Sequence, residues 1–584
     1  MAHGLRTSLL ILLAAGVLGW ALPRHILAGI GQGIQTISRR LSAEAVRRPR
    51  MVLLVVWLVA LIPMIHHTLL VRHYSVNVPI FDDWAMAPLI VKAHLGQLTL
   101  ADLFQQQQEA RTFLPNLIFV LSAKTEWNVC NQIALSIVAS WLTAAGLFIL
   151  LRRSGLNLAA FAICFWLMVL ALFSTAAYEL WIFASGFPSF LPLLFLVAGL
   201  AVIGSRISIV WKFVICAVVA VASTFTLANG LLAWGLTFPV LMVSERVPRW
   251  RFWLAAWGIV TALAALVYFW GYEKPAYLPG FAPAVSLVEY VSFILQFLGG
   301  GLAYSRDHNA QTAATVFGLV QVALFMAAAG YGMRRPRDRE FIAKTAPWFA
   351  LALFAIGSAF LAALGRVGFG ASYALASRYV PFSLGLTLGV IGLGAVVLTE
   401  LLKRNASLPM RRWGLLAAAV LILGYLASHK VAAQNTRFFL RAYSANDRLA
   451  KTAVVFSRAI DTTAAIRKVV FPPAPDHVVR TAAALDDLHL LRPPLVRSNI
   501  LSALPHEAAD GTRVAGLCEV NTEQGELFHV SGWALLKERG RPADGVVIAY
   551  ESPGAEPVMF AMSDSIEMRW DVARPTWPND FLWS

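Results

Sequence analysis

The sequence predicts an all-α polytopic membrane protein of about 11–12 transmembrane helices with a small C-terminal α+β, β-sandwich-like module. Three observations lead there. First, 58% of the 584 residues are hydrophobic and 14% are charged, with a mean hydropathy of +0.66. Soluble chains run nearer half apolar and a quarter charged. Second, apolar runs long enough to cross ~30 Å of hydrocarbon recur through the first three quarters, without the period-two alternation of barrel strands. Third, the Lys and Arg residues behind the net charge of +16 sit in short clusters between these runs. The positive-inside rule places them there, which removes the need for a nucleic-acid partner.

The elements follow in order. Residues 1–50 hold a hydrophobic segment and a basic cytoplasmic linker. The segment, Thr7–Leu22, is short for a span and shares features of a signal h-region, but Pro23, Arg24 and His25 make a poor cleavage site. It reads as a twelfth span, with an interfacial helix as the alternative. Residues 51–430 hold eleven spans, near 51–71, 130–151, 157–175, 188–204, 210–227, 230–243, 252–270, 311–332, 344–364, 380–402 and 413–428. If these alternate, the clusters at Arg47–Arg50, Arg152–Arg153, Arg206–Lys212, Arg246–Arg251, Arg334–Arg339 and Lys403–Arg412 all fall on one side. Residues 72–129, 176–187, 271–310, 365–379 and 429–584 then face away from the cytoplasm.

The first external loop, 72–129, has apolar residues at helical spacing and a capping-box signature at Thr99–Asp102, which predicts two or three interfacial helices. Residues 431–512 read as an external helical segment. Residues 513–584 read as a β-rich module, with β-type runs "LFHVSGWALL", "GVVIAYES" and "PVMFAMS" between Gly, Pro and Asp turns. Four scattered cysteines offer neither a disulfide framework nor a zinc spacing. No metalloprotease motif, P-loop or dinucleotide fingerprint is present.

The candidate chemistry begins at Asp82 and Asp83, followed by Trp84. One of the acids can cap the helix starting near Trp84. Alternatively, a carboxylate at headgroup depth can act as general base on a hydroxyl. Arg366 and Arg378, with Tyr379, lie in one short external loop; they suit a phosphate, or serve as snorkelling anchors with a belt aromatic. Glu109 and Arg111 are substrate contacts or an ion pair of the interfacial helices. Asn229 is functional or satisfies backbone near Gly230. Arg306, Asp307 and His308 are a substrate cluster or a solvated loop.

The stretch from Phe81 to Val129 resembles a group of bacterial multi-span proteins similar to the GT-C glycosyltransferases. The group carries an acidic pair and Trp after the first span, then Q-H-N-E-H-R-x-x-x-P. Here Glu109, Arg111 and Pro115 match, while Ala110 stands where the group has a histidine. "LANGLLAWGLTFPVLM", an "SRY" at Ser377–Tyr379 and a "GWA" at Gly532–Ala534 extend the resemblance over most of the chain. Ala176–Leu193 departs from it, keeping only Glu179 and Trp181. The resemblance implies a bacterial inner-membrane enzyme with its C-terminal module outside. It would transfer a sugar, with inversion, from a polyprenyl-phosphate donor to a glycan, lipid or protein acceptor. Asp82 would be the base and Asp83 would orient the acceptor or cap the helix; many such enzymes need no metal, and a divalent metal stays open as the alternative. Competing expectations are a flippase of lipid-linked glycans, which internal repeats and midplane charges would have favoured, and a non-catalytic scaffold of envelope glycan assembly.

Overall fold

The computed structural model describes residues 49–244, 247–277, 285–303, 309–403, 408–505, 514–522, 528–536 and 541–564. The Thr7–Leu22 segment, and Arg306 and His308, lie outside the described residues. Among the described residues, 73% are helical. Among the described residues, nine helices are long and apolar enough to cross a membrane: Leu53–Tyr74, Val129–Arg153, Leu158–Ile182, Ala184–Ile203, Trp250–Phe269, Ala310–Met333, Arg339–Phe369, Ser377–Lys403 and Trp413–Phe456. This is the architecture of a multi-pass membrane protein.

Two of the eleven expected spans are shorter helices, Ile209–Thr224 and Ala228–Ser244. They form a tight hairpin. A Cβ on Gly230 would fall 1.8 Å from the carbonyl oxygen of Ser223. Thr224 and Thr226 return their hydroxyls to the carbonyls of Ala220 and Ala222. Backbone groups satisfied in this way need no full-length span, because neighbouring helices shield them from lipid.

A second difference lies within 271–310, read from sequence as a loop. Leu287–Gly300 is a 14-residue helix running antiparallel to Ala310–Met333. Cβ atoms on Gly299 and Gly318 would each fall 2.0 Å from a carbonyl of the other helix, so only glycine permits this approach. Glu289 and Gln296 interrupt its apolar run and conceal it in a hydropathy reading. The same close packing joins Arg339–Arg366 to Val380–Lys403. There, Cβ atoms on Gly389 and Gly392 would fall 2.7 Å from the Trp348 carbonyl and 2.2 Å from its ring.

The bundle has two chemically distinct ends. At the basic end, Arg153 donates to the Ala201 carbonyl at 2.5 Å, and Trp348 donates to Ser154 at 2.9 Å. At the other end, the first loop, residues 174–190, residues 366–380 and the tail converge. The first loop contains helices Asp83–His94, Leu100–Phe104 and Phe113–Ser122. The Thr99–Asp102 capping box forms as expected, with both reciprocal bonds present. Lys92 and Thr99 hold the Asp102 carboxyl low, at about 2.

Leu408–Phe456 is one helix of 49 residues. At 1.5 Å per residue it is about 74 Å long, well beyond a bilayer's thickness. The tail then returns across the first loop. Phe81 N–H donates to Val470 O at 2.7 Å, and Trp127 N–H donates to Leu490 O at 2.8 Å. Helix Pro475–Asp487 lies over Asp83–His94, with His477 Nε2 3.3 Å from the Trp84 carbonyl.

The C-terminal strands form two small antiparallel sheets. Numbering strands along the chain, β1 is Gln106–Gln107 and β2 is Ala110–Arg111, both in the first loop; β3 (Val514–Thr522), β4 (Phe528–Leu536) and β5 (Arg541–Pro542) pair in that order. β6 (Val547–Tyr550) pairs with β7 (Val558–Met562), which is tied to the tail by Met559 N–H to Asn499 O at 2.7 Å. β3 was not among the expected strands. Its Gly516, Glu519 and Asn521 weaken the propensity signal, and nine cross-strand pairs with β4 supply the order instead.

Candidate functional site

The site forms where the first span ends. From Ser75 the chain runs without helix to Phe81, which adopts a left-handed φ of 47°. A bulky residue rarely does so. Its N–H bond to Val470 and its ring contact with Phe183, 5.6 Å between centroids, hold it there. The next two residues are the acidic pair.

The two carboxylates have different surroundings. Asp83 is 2% exposed. Its Oδ2 accepts from the Ile80 N–H at 3.2 Å, and its Oδ1 accepts from the Ser185 N–H at 2.7 Å. It thus pins the turn and ties the first loop to residues 184–190. Burial pushes its carboxyl up to about 6, with Asp82 adding to the rise and the two N–H bonds opposing it. Asp82 is exposed and makes one side-chain hydrogen bond, accepting from Gln108 Nε2 at 3.1 Å. Although part of its surface meets solvent, crowding by surrounding protein pushes its carboxyl above the usual range. Glu109 adds to this; Gln108 and Arg378 oppose it. Asp82 occupies the N-cap position of Asp83–His94 but makes no side-chain cap bond. Asp83 reaches upstream to Ile80, so neither acid serves as the expected cap.

Gln108 and Glu109 form the tip of a two-residue hairpin between β1 and β2. Gln108 takes a left-handed φ of 51°, a conformation that favours Asn or Gly at such tips. Two of the four left-handed non-glycine residues among the described residues therefore flank the Asp82–Gln108 hydrogen bond. Glu109 Oε1 forms an ion pair with Arg366 Nη2, and Tyr277 OH donates to Glu109 Oε2 at 3.5 Å. Partial desolvation, with the charge of Glu109 beside it, pushes the Tyr277 hydroxyl up to about 12, although the ring itself is largely exposed.

The expected Glu109–Arg111 ion pair is replaced. Arg111 donates to the carbonyls of Tyr268 (2.6 Å), Phe104 (2.9 Å) and Trp270. It anchors the hairpin base through three backbone carbonyls. Gln106 completes the anchor by exchanging bonds with the backbone of Glu273.

Beyond the tip lies the short loop that ends the Arg339–Phe369 helix. Arg366 reaches the hairpin, as described. The Arg378 guanidinium lies 4.9 Å from the Tyr373 ring centroid and 5.6 Å from that of Tyr379, and it donates to Tyr373 OH. Ser377 Oγ, Arg378 Nε and Tyr379 OH are buried and find no hydrogen-bond partner among the described residues. Three adjacent buried polar atoms without partners call for an explanation, because each costs about 1–3 kcal/mol unless something answers it.

The other expected residues lie apart. Trp84 is fully buried, donating to Pro79 O at 2.8 Å and packing edge-on against Trp127, so its indole is a core group and not a substrate platform. Asn229 is half-buried in the turn Ala228–Leu231, and among the described residues no hydrogen bond or ion pair links it to the cluster. Glu179 accepts from Tyr178 OH and Tyr443 OH, and buried Trp181 donates to Ser174 O. Gln108, Tyr277 and Tyr373 were missed. A neutral Gln in a run of four carries no chemical signature, and the two tyrosines become relevant only through folding.

No three His, Cys, Asp or Glu side chains among the described residues converge to hold a metal. A cavity of about 520 Å³ lies between residues 235–243, 329–333 and 341–353, at the basic end. Apart from Thr345 its lining is apolar, so it lacks groups for proton transfer or anion binding. The arrangement at the loop end has both: an exposed carboxylate, two guanidiniums and a tyrosine hydroxyl around one strained hairpin tip. Compared with protein families, with characterised proteins and with solved structures, the chain matches none.

Proposed function

We propose that the chain is a GT-C-type glycosyltransferase. It moves a sugar from a polyprenyl-phosphate donor to a glycan, lipid or protein acceptor on the extracytoplasmic side of a bacterial inner membrane. One observation carries the reading: an exposed carboxylate and Arg366 are both held by the same hairpin tip, with Arg378 within electrostatic reach of that carboxylate, at the end of a membrane-spanning bundle. A lipid-held donor brings its phosphate to that depth.

The step balances as an in-line displacement. Asp82 takes the proton of an acceptor hydroxyl as its oxygen attacks the anomeric carbon. The bond from that carbon to the phosphate oxygen breaks with inversion. The polyprenyl phosphate leaves carrying the bonding electrons, and Arg366, Arg378 and the Tyr379 hydroxyl meet its charge. The upward shift of Asp82 brings the base nearer neutral pH, where it is a better proton acceptor. Asp83 acts as a positioning residue, holding the turn on which Asp82 stands.

The test is purified protein offered a panel of polyprenyl-phosphate sugars and acceptors, with products followed by mass spectrometry. Wild-type turnover that is lost in Asp82→Asn supports the reading; turnover unchanged in that variant removes Asp82 as the base. Absence of turnover with every donor, alongside transbilayer movement of a fluorescent lipid-linked glycan, would support the flippase reading instead.

A further inference from the structure

The hairpin tip engages both halves of the proposed site at once. Gln108 donates to Asp82 at 3.1 Å, and its neighbour Glu109 pairs with Arg366. A carboxylate on a guanidinium is the protein's own version of a phosphate oxygen on a guanidinium. Behind this contact, Ser377 Oγ, Arg378 Nε and Tyr379 OH are buried without partners among the described residues. The tip therefore holds Arg366 at the start of a loop in which three buried polar atoms find no hydrogen-bond partner among the described residues.

We propose that Glu109 is an internal stand-in for the ligand anion, and that a phosphate headgroup on a membrane lipid enters by displacing it from Arg366. This inference rests on the phosphate-site reading above. The displaced tip carries Gln108 with it, so the same event releases Asp82 from its hydrogen bond. Donor binding and release of the base from Gln108 become one movement, and the base stays hydrogen-bonded to the tip while no donor is present. Three features suit an exchangeable contact. The Arg366 and Glu109 side chains are 15% and 32% exposed, so water can solvate the separated charges. The left-handed φ of Gln108 stores strain that opening relieves. Arg111 and Gln106 clamp the base to residues 268–273, which confines the movement to the tip.

The experiment measures binding of a polyprenyl monophosphate, with inorganic phosphate as a parallel probe, to full-length protein in nanodiscs. The variants are Glu109→Gln, Glu109→Ala and Arg366→Gln. Removing the competing carboxylate raises the fraction of competent sites, so both Glu109 variants are expected to bind the lipid about two- to five-fold more tightly, the range a partly exposed ion pair allows. Arg366→Gln is expected to lose binding. Loss in Arg366→Gln with unchanged or weaker binding in both Glu109 variants overturns the stand-in while leaving the phosphate site. Undiminished binding in Arg366→Gln overturns the phosphate site itself. Inorganic phosphate binding as tightly as the lipid overturns the lipid headgroup as occupant. An unfolding midpoint recorded for each variant separates these outcomes from misfolding.

Discussion

Asp83 and Asp82 are neighbours in sequence with separable physical roles, and pH distinguishes them. Asp83 has its carboxyl pushed from the ordinary value of 3.8 to about 6 by burial. One unit is worth about 1.4 kcal/mol, so about two units correspond to about 3 kcal/mol. The folded-state value lies above the unfolded one, so the ionised form is the penalised form. The contribution to stability is fully present below pH ~4 and is lost as pH rises through ~6. Asp83→Asn places a neutral isostere at the site. It should flatten this part of the stability profile, and at pH 7.5 it should unfold no earlier than wild type. Asp83→Ala leaves both the Ile80 and Ser185 N–H groups without acceptors. It should be less stable than the Asn variant by about 1–3 kcal/mol for the additional orphan. The assay is thermal unfolding in detergent from pH 4 to 8 at constant ionic strength. Asp82 and the buried Asp447 lie within electrostatic reach of Asp83, so wild type against Asn reads Asp83 together with that coupling, while Asn against Ala, both without the charge, reads the N–H groups alone. An Asn variant retaining the wild-type slope would refute the assignment, as would an Ala variant matching the Asn variant.

Three further outcomes follow from the geometry. Asp82→Asn should lower turnover at least ~10²-fold, the scale of a lost general base, without lowering the unfolding midpoint, because the side chain is exposed and its ionised form is the disfavoured one; product formation and unfolding midpoint measured on one preparation decide this. Arg111→Ala removes donors to three carbonyls and should speed amide exchange across residues 105–112, read by hydrogen–deuterium exchange, with the spanning helices unaffected. Gly230→Ala drives a methyl to 1.8 Å from the Ser223 carbonyl and should destabilise by more than ~3 kcal/mol, seen as loss of monodisperse protein; normal behaviour would mean the hairpin is not closed as described.

The long helices were legible because lipid imposes one rule on every spanning residue, so composition alone identifies them. The helices that escaped are those stabilised by neighbours. Leu287–Gly300 has polar interruptions and depends on glycine contacts with Ala310–Met333, and β3 depends on its pairing with β4. At the site, the residue types were visible and their partners were not. Sequence adjacency suggested Glu109 with Arg111, yet Glu109 meets Arg366, 257 positions away, while Arg111 turns to backbone.

By itself, then, the sequence determined a multi-pass helical chain, the capping box at Thr99, and an acidic pair beside the first span. These follow from hydropathy, local hydrogen bonding and chain order, which act over short distances. Only the tertiary structure decided that Asp83 is buried and Asp82 exposed, and that a neutral Gln108 donates a hydrogen bond to Asp82. It alone decided that Glu109 sits on Arg366 beside three unanswered donors. Burial and long-range pairing depend on what folding brings from hundreds of residues away, and no local pattern encodes that.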